Sequence, residues 1–293
     1  MAAVTRLAPA KVNLFLHIGP VDADGYHPLA SLVAFADVGD RLTLEPADRL
    51  SLTVAGPFAG ALDGRDDNLV LRALRTLGEA AGVGDPPLRV ALDKRLPVAA
   101  GLGGGSSDAG AALRLARDAL GLPLDDAALA GIADVVGADG PMCLHARSAW
   151  AEGRGERLTF EPRLPPLPVL LVNPGVPSPT GAVYGAYDAG PVRAADRPRP
   201  PSGWDPASVL AWLADQRNDL QAPAVALQPV IGEALAAVEA LPGVRLARMS
   251  GSGATVFALF ATAAAADEAA RLLAASRPDW WVVSTRLASP RLN

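Results

Sequence analysis

Apolar Val12, Leu14, Leu16 and Ile18 alternate with Asn13, Phe15 and His17 near the start of the chain. That period of two is the pattern of a strand, here with one face turned to a core. Short runs at 29–35, 40–45, 50–54 and 88–92 predict four more strands. The period then changes. Leu69, Leu71, Leu74 and Leu77 fall at helical spacing and predict a helix over 68–81, with Asp66 or Asp67 as its cap. Further helices are expected at 108–120, stopped by Gly121 and Pro123, and at 125–136, ended by Gly137.

Beyond residue 148 strands and helices intermingle. Segments 148–152 and 156–160 read as a hairpin around Gly153-Arg154-Gly155, and the proline-rich 162–168 reads as a linker. Strands are expected at 169–172, 245–250, 255–260 and 281–287, with helices at 207–216, 229–240 and 264–275. The stretch 190–206, rich in Pro, Arg and Asp, reads as a mobile surface loop. The whole is an α+β pattern. The chain has 293 residues, comfortable for two domains, and the change of texture divides it into 1–161 and 162–293.

Composition removes several classes of function. No apolar run reaches the eighteen residues of a membrane span, and the first ten residues lack the apolar core of a signal peptide. A single cysteine, Cys143, excludes an internal disulfide and suits the cytoplasm. The net charge of −5 argues against a general nucleic-acid binder, though not against a site for one nucleotide. Among many arginines stand two lysines, Lys11 and Lys94. A compact ammonium differs from a guanidinium in size and hydration, so a lysine kept where arginine is the rule draws notice.

The run from Leu96 to Ala109, LPVAAGLGGGSSDA, holds the clearest chemistry. Glycines let backbone N–H groups converge, and a helix N-terminus behind them adds unpaired donors and partial positive charge. Such a loop suits a polyphosphate. It is not a P-loop, because no lysine follows the glycines, and Ser106 stands where a dinucleotide fingerprint needs a small third glycine. Four more segments attract attention. Pro9-Ala10-Lys11-Val12-Asn13 sets a lysine at a strand. Asp24-Gly25-Tyr26-His27 joins a turn to two rings. Gly137-Ala138-Asp139-Gly140 offers a carboxylate that is either a turn former or a general base. Met249 to Thr255 is a second glycine loop, read either as a hairpin turn or as a wall that a substrate approaches.

Taken in order, these segments resemble the GHMP kinases, small-molecule kinases that include galacto-, homoserine and mevalonate kinases. Also carrying the resemblance are Asp67-Asn68-Leu69, Lys94-Arg95-Leu96-Pro97, Asn173-Pro174-Gly175, Arg217-Asn218-Asp219-Leu220 and Ser250-Gly251-Ser252-Gly253-Ala254. The resemblance implies a two-domain fold, with a ribosomal-protein-S5-domain-2-like N-terminal domain and a ferredoxin-like C-terminal domain. It implies ATP, with Mg²⁺, at Asn68, Lys94, Pro97, Val98, Ala99, Ala100, Gly101, Leu102, Gly103, Gly104, Gly105, Ser106 and Ser107. Lys11 and Asp139 match the family's catalytic pair. The triple glycine before two serines and the Gly-Tyr-His turn are similar to the branch whose acceptor is a cytidylyl methylerythritol, phosphorylated on its 2-hydroxyl for isoprenoid precursor synthesis. Asn13, Tyr26, His27, Asp139 and Thr180 would then hold that acceptor. No nucleic acid or membrane partner is implied; monomer and homodimer both stay open, and no metal ligands are named. Gly140 and Gly181 are smaller than this resemblance leads one to expect.

Overall fold

The computed structural model describes residues 3–62, 68–191 and 193–288. Strands β1 (Val4–Ile18) and β2 (Leu29–Pro46) form a long antiparallel pair. The expected separate strands at 29–35 and 40–45 are thus one. Gly39 reads as a break in sequence, yet it sits inside β2, where a Cβ would lie 2.1 Å from the Ala8 carbonyl oxygen. Close approach of β1, not a turn, accounts for that glycine. The β1–β2 register shifts between Pro9 and Lys11 and again between Asn13 and Phe15. Bulges re-aim side chains, and these two flank the segment that carries Lys11 and Asn13.

The remaining strands are β3 (Ser51–Ala55), β4 (Leu88–Asp93), β5 (Ala149–Gly153), β6 (Arg157–Phe160), β7 (Leu167–Asn173), β8 (Val244–Met249), β9 (Val256–Phe260) and β10 (Trp281–Ala288). One sheet runs β3-β4-β2-β10-β7-β9-β8, with β1 and β5 also paired to β2 and β6 to β5. Its last four strands lie in the order β10-β7-β9-β8, with antiparallel neighbours. Numbered by sequence within the C-terminal half, that is 4-1-3-2, the ferredoxin-like order the resemblance implied.

Helices cover the sheet in two groups. Helices α1 (Leu69–Ala80), α2 (Gly104–Leu120), α3 (Asp126–Val136) and α4 (Gly140–His145) belong to the N-terminal half. Leu74, Leu77, Leu113 and Leu129 bury against Leu42, Leu44 and Val90 of the sheet. Helices α5 (Thr180–Asp188), α6 (Pro206–Ala214), α7 (Gln221–Leu227), α8 (Pro229–Glu239) and α9 (Ala263–Ser276) belong to the C-terminal half. There Ile231, Val238 and Leu273 pack on Leu170, Val172 and Phe260. No helix among the described residues is long and apolar enough to cross a membrane.

Several expectations change in detail. Asn68 caps α1, its side chain accepting from the Val70 N–H at 2.9 Å; Asp66 and Asp67 lie outside the described residues. Helix α2 starts at Gly104 rather than at 108, because tertiary contacts hold glycines that propensity alone would leave as loop. Helices α4, α5 and α7 carry glycine or proline inside them and were not expected. The 190–206 segment is tacked down rather than free. Arg197 stacks over Trp150 at 4.3 Å, the Arg199 carbonyl accepts from Trp212 Nε1 at 2.8 Å, and the Asp196 carbonyl meets His17 Nδ1 at 3.1 Å.

Candidate active site

A cleft of about 520 Å³ opens where β1, the first glycine loop, the start of α4, α5 and the second glycine loop meet. On its floor Lys11 Nζ donates to Asp139 Oδ2 at 2.9 Å. The Lys11 side chain is 7% exposed and that of Asp139 is 38% exposed. Asp139 is the N-cap residue of α4 but makes no side-chain cap bond, so its carboxylate is turned over to the lysine. Gly140 makes this turn possible: a Cβ there would lie 1.9 Å from the Ala133 carbonyl oxygen. A larger residue would push α4 off α3, which accounts for the glycine.

The first glycine loop forms the adjoining wall. The Lys11 N–H donates to the Leu102 carbonyl at 2.8 Å and ties the loop to β1. Gly103 takes φ +60° and caps α2 with no side chain, leaving the first N–H groups of that helix to a ligand. Gly101, at φ +73°, lets the loop touch the second glycine loop, where a Cβ would sit 2.2 Å from the Ser250 carbonyl oxygen. Ser250 Oγ donates to the Gly101 carbonyl at 2.9 Å and accepts from the Asn13 N–H at 3.2 Å. Asn218 Nδ2 lies 2.8 Å from both the Met249 and Gly251 carbonyls and holds the second loop in shape. That loop is therefore a wall of the cleft, with Gly251 and Ser252 on its lining.

Most residues expected at the site are brought together. Lys11, Asn13, Asn68, Lys94, Pro97, Val98, Ala99, Ala100, Gly101, Gly103, Gly104, Gly105, Ser106, Asp139 and Thr180 line the cleft. Leu102 is instead 1% exposed within the core, and Ser107 is 1% exposed beneath the loop. Lys94 touches the cleft, but its ammonium is engaged behind the loop, 2.5 Å from Asp40 Oδ2 and 2.8 Å from Asp108 Oδ2. Asp40 Oδ1 also accepts from the Arg95 and Leu96 N–H groups at 2.6 and 2.8 Å, fixing the chain as it leaves β4. Burial pushes the Asp108 carboxyl up to about 8, against the pull of the neighbouring Lys94. Burial likewise pushes the Cys143 thiol up to about 12, so this cysteine is an inert core residue.

Tyr26 and His27 do not line the cleft. Tyr26 is 56% exposed, with the Arg154 guanidinium 4.0 Å from its ring centre. His27 is half-buried behind Tyr184, whose ring lies 5.2 Å away and does line the cleft. Asp40 and Tyr184 are the additions the sequence did not yield. Asp40 is part of an ordinary polar position in a strand, and Tyr184 needed α5 to be recognised as a helix, one turn on from Thr180. Thr180 keeps its place, with its Oγ1 3.0 Å from Ser252 Oγ. Gly181 has open space around it, so its small size does not disturb that contact.

Comparison with known proteins agrees with this geometry. The family model for the GHMP kinases N terminal domain matches residues 68–147, and that for the GHMP kinases C terminal region matches 206–277. The chain is 54% identical to the 4-diphosphocytidyl-2-C-methyl-D-erythritol kinase of Caulobacter vibrioides over 97% of this chain and 99% of the relative. It is 53% identical to the enzyme of the same name from Methylobacterium radiotolerans over 98% and 100%. A crystal structure of a 4-(cytidine 5'-diphospho)-2C-methyl-D-erythritol kinase superposes with TM-score 0.78 at 36% identity, covering 97% of this chain and 99% of the other. A homoserine kinase from Cytophaga hutchinsonii shares the fold at TM-score 0.69 and 16% identity, covering 100% and 98%. By family model, sequence and fold, this chain belongs to the GHMP kinases.

Proposed function

We propose that the chain moves the γ-phosphoryl group of ATP onto the 2-hydroxyl of 4-diphosphocytidyl-2-C-methyl-D-erythritol, giving the 2-phosphate and ADP, a step of non-mevalonate isoprenoid precursor synthesis in the cytoplasm. The observation that carries the chemistry is the Lys11–Asp139 pair at 2.9 Å, beside the uncapped start of α2. The substrate follows from relatives of that name at 54% and 53% identity over nearly the whole chain.

Phosphoryl transfer needs positioning and charge stabilisation more than covalent help. The glycine loop and the α2 N-terminus supply converging N–H donors for the phosphates of ATP. The side of the cleft lined by Leu62, Leu69, Pro97 and Val98 suits the adenine, with Asn68 at its edge. The acceptor lies along Asn13, Thr180 and Tyr184, its 2-hydroxyl at Asp139. The hydroxyl oxygen bonds to the γ-phosphorus as the bond to the β-phosphate oxygen breaks, and the hydroxyl proton passes to Asp139. Lys11 orients the Asp139 carboxylate and steadies the negative charge on the attacking oxygen. Mg²⁺ carried on the phosphates would neutralise their charge. Among the described residues no group of three or more His, Cys, Asp or Glu side chains is set to hold a metal by itself. Ser106 and Asp139, both on the cleft lining, would offer oxygen donors to an ion carried on the phosphates.

The test is ADP release from Mg-ATP by purified protein with each of four alcohols: the cytidylyl methylerythritol, mevalonate, homoserine and galactose. Turnover with the first alone is the expected result. Turnover with another alone would keep the catalytic pair and discard the acceptor. ATP binding without turnover on any would leave a nucleotide-binding protein with no kinase activity.

A further inference from the structure

Helix α5 brings more than Thr180 to the acceptor side of the cleft. Thr180, Tyr184 and Asp188 recur every four residues and share one helix face. Thr180 and Tyr184 reach the cleft, while Asp188, in the last turn, reaches His27. Asp188 Oδ1 lies 3.0 Å from His27 Nε2, and the Gly19 carbonyl oxygen lies 2.8 Å from His27 Nδ1. A carbonyl and a carboxylate can only accept hydrogen bonds. Both ring nitrogens therefore face acceptors, and the ring is held at both edges. Its faces are held too. Tyr184 lies 5.2 Å away, and Tyr187 packs edge-on at 5.7 Å, with its own hydroxyl donating to the Ile18 carbonyl at 2.7 Å.

Asp188 sits against a local rule. A carboxylate in the last turn of a helix meets the negative end of the helix dipole. Its side chain is about half exposed, so a solvent-facing polar residue would serve the helix better. The compensation is the contact with His27. Local rules are broken most often where function demands it.

We propose that Asp188 is a positioning residue for acceptor recognition. By holding His27 doubly protonated, it fixes the ring behind Tyr184 and sets a positive charge at that end of the cleft before the acceptor's planar base and diphosphate arrive. Asp188 touches neither ATP nor the reacting hydroxyl; it acts through His27. The proposal rests on the acceptor reading given above.

Four variants test it: Asp188→Ala, Asp188→Asn, His27→Gln and the double variant His27→Gln/Asp188→Ala. In Asp188→Ala the acceptor KM should rise about tenfold, as expected for losing one charge-assisted hydrogen bond. Its kcat should stay within about threefold, and the ATP KM should not move. Asp188→Asn should show a smaller rise, since its amide oxygen can still accept. The double variant should be no worse than His27→Gln alone, because both changes break one unit. The chain has only three histidines, so ¹⁵N spectra of the imidazoles are readable, with His27→Gln assigning the signal. The wild-type His27 ring should appear protonated at both nitrogens, and Asp188→Ala at the same pH should lose that signature. An unchanged acceptor KM in Asp188→Ala, or an equal loss on the wild-type and His27→Gln backgrounds, overturns the proposal. A singly protonated wild-type ring does so as well. The spectra need no turnover. A doubly protonated ring in a protein that fails to phosphorylate the cytidylyl acceptor would sink the functional reading, and the recognition role with it, while the His27–Asp188 contact stood.

Discussion

The two lysines of this chain stand on opposite sides of one glycine loop, and both end on carboxylates. Among the described residues Lys11 has one partner, Asp139, whose side chain is 38% exposed. Lys94 has two, Asp40 and Asp108, and all three side chains are 3% exposed or less. Burial separates their roles. The first pair can meet a substrate and exchange a proton with it. The second cluster is shut away from solvent, and its bonds fix the loop's two ends: Asp40 holds the exit from β4, and Asp108 lies in the second turn of α2. On the proposed mechanism, a residue type that the sequence singled out for rarity serves chemistry at one position and architecture at the other.

The sharpest test of this division compares losses of activity with losses of stability. Lys11→Met and Asp139→Asn should each lower kcat by about 10²–10⁴-fold, the range for a lost general base and its electrostatic partner, while thermal unfolding stays near that of the unaltered protein. The double variant should be little worse than either single one, because the pair works as a unit. Near-normal turnover in either variant would remove the pair from the mechanism.

Lys94→Met should give the opposite signature. It leaves Asp40 and Asp108 buried side by side without the cation that binds both, a change that costs about 3–5 kcal/mol of stability. Denaturant unfolding at neutral pH should show it directly. Where folded protein remains, the ATP KM should rise more than kcat falls, because the loop is displaced while Lys11 and Asp139 stay in place. A stable Lys94→Met protein with a normal ATP KM would show that the buried cluster does not hold the loop.

The sequence made the first centre far more legible than the second. Glycines at 101, 103, 104 and 105 announce a loop that comes close to something, because few other roles need so many missing β-carbons together. The alternation in β1 likewise placed Lys11 and Asn13 on a strand, although the bulges around them, which bring both to the cleft, leave no mark in the pattern. Asp40 was illegible. Its partners lie 54 and 56 positions away at Lys94 and Leu96, and no local periodicity records a contact across that distance. Helix α5 was missed because Gly181 and Gly185 dilute its helical signal, and Tyr184 and Asp188 were missed with it. Family resemblance supplied the nucleotide and acceptor expectations. It also gave Tyr26 to the acceptor, and that ring lies exposed with the Arg154 guanidinium over it.

The smallest effect separates the two carboxylates of the buried cluster. Burial raises the Asp108 carboxyl from 3.8 to about 8, so the folded chain binds this proton more tightly than the unfolded chain does. The stability that the neutral form contributes is complete below about pH 4 and is lost as pH rises through about 8. Lys94 works in a different window: its raised value keeps it charged throughout this range, so it adds no slope there. Asp108→Asn keeps an oxygen that can accept from Lys94 and removes the titrating proton. It should unfold much like the unaltered protein at pH 6 and resist denaturant better at pH 9, with a flatter stability profile between them. Asp40→Asn should be destabilised across the whole range, because Asp40 accepts from Lys94 and also from the Arg95 and Leu96 N–H groups. If the two variants showed the same profile, the proton would be shared evenly between the carboxylates, and the cluster would be a symmetric clamp on Lys94 rather than an ion pair with a neutral neighbour.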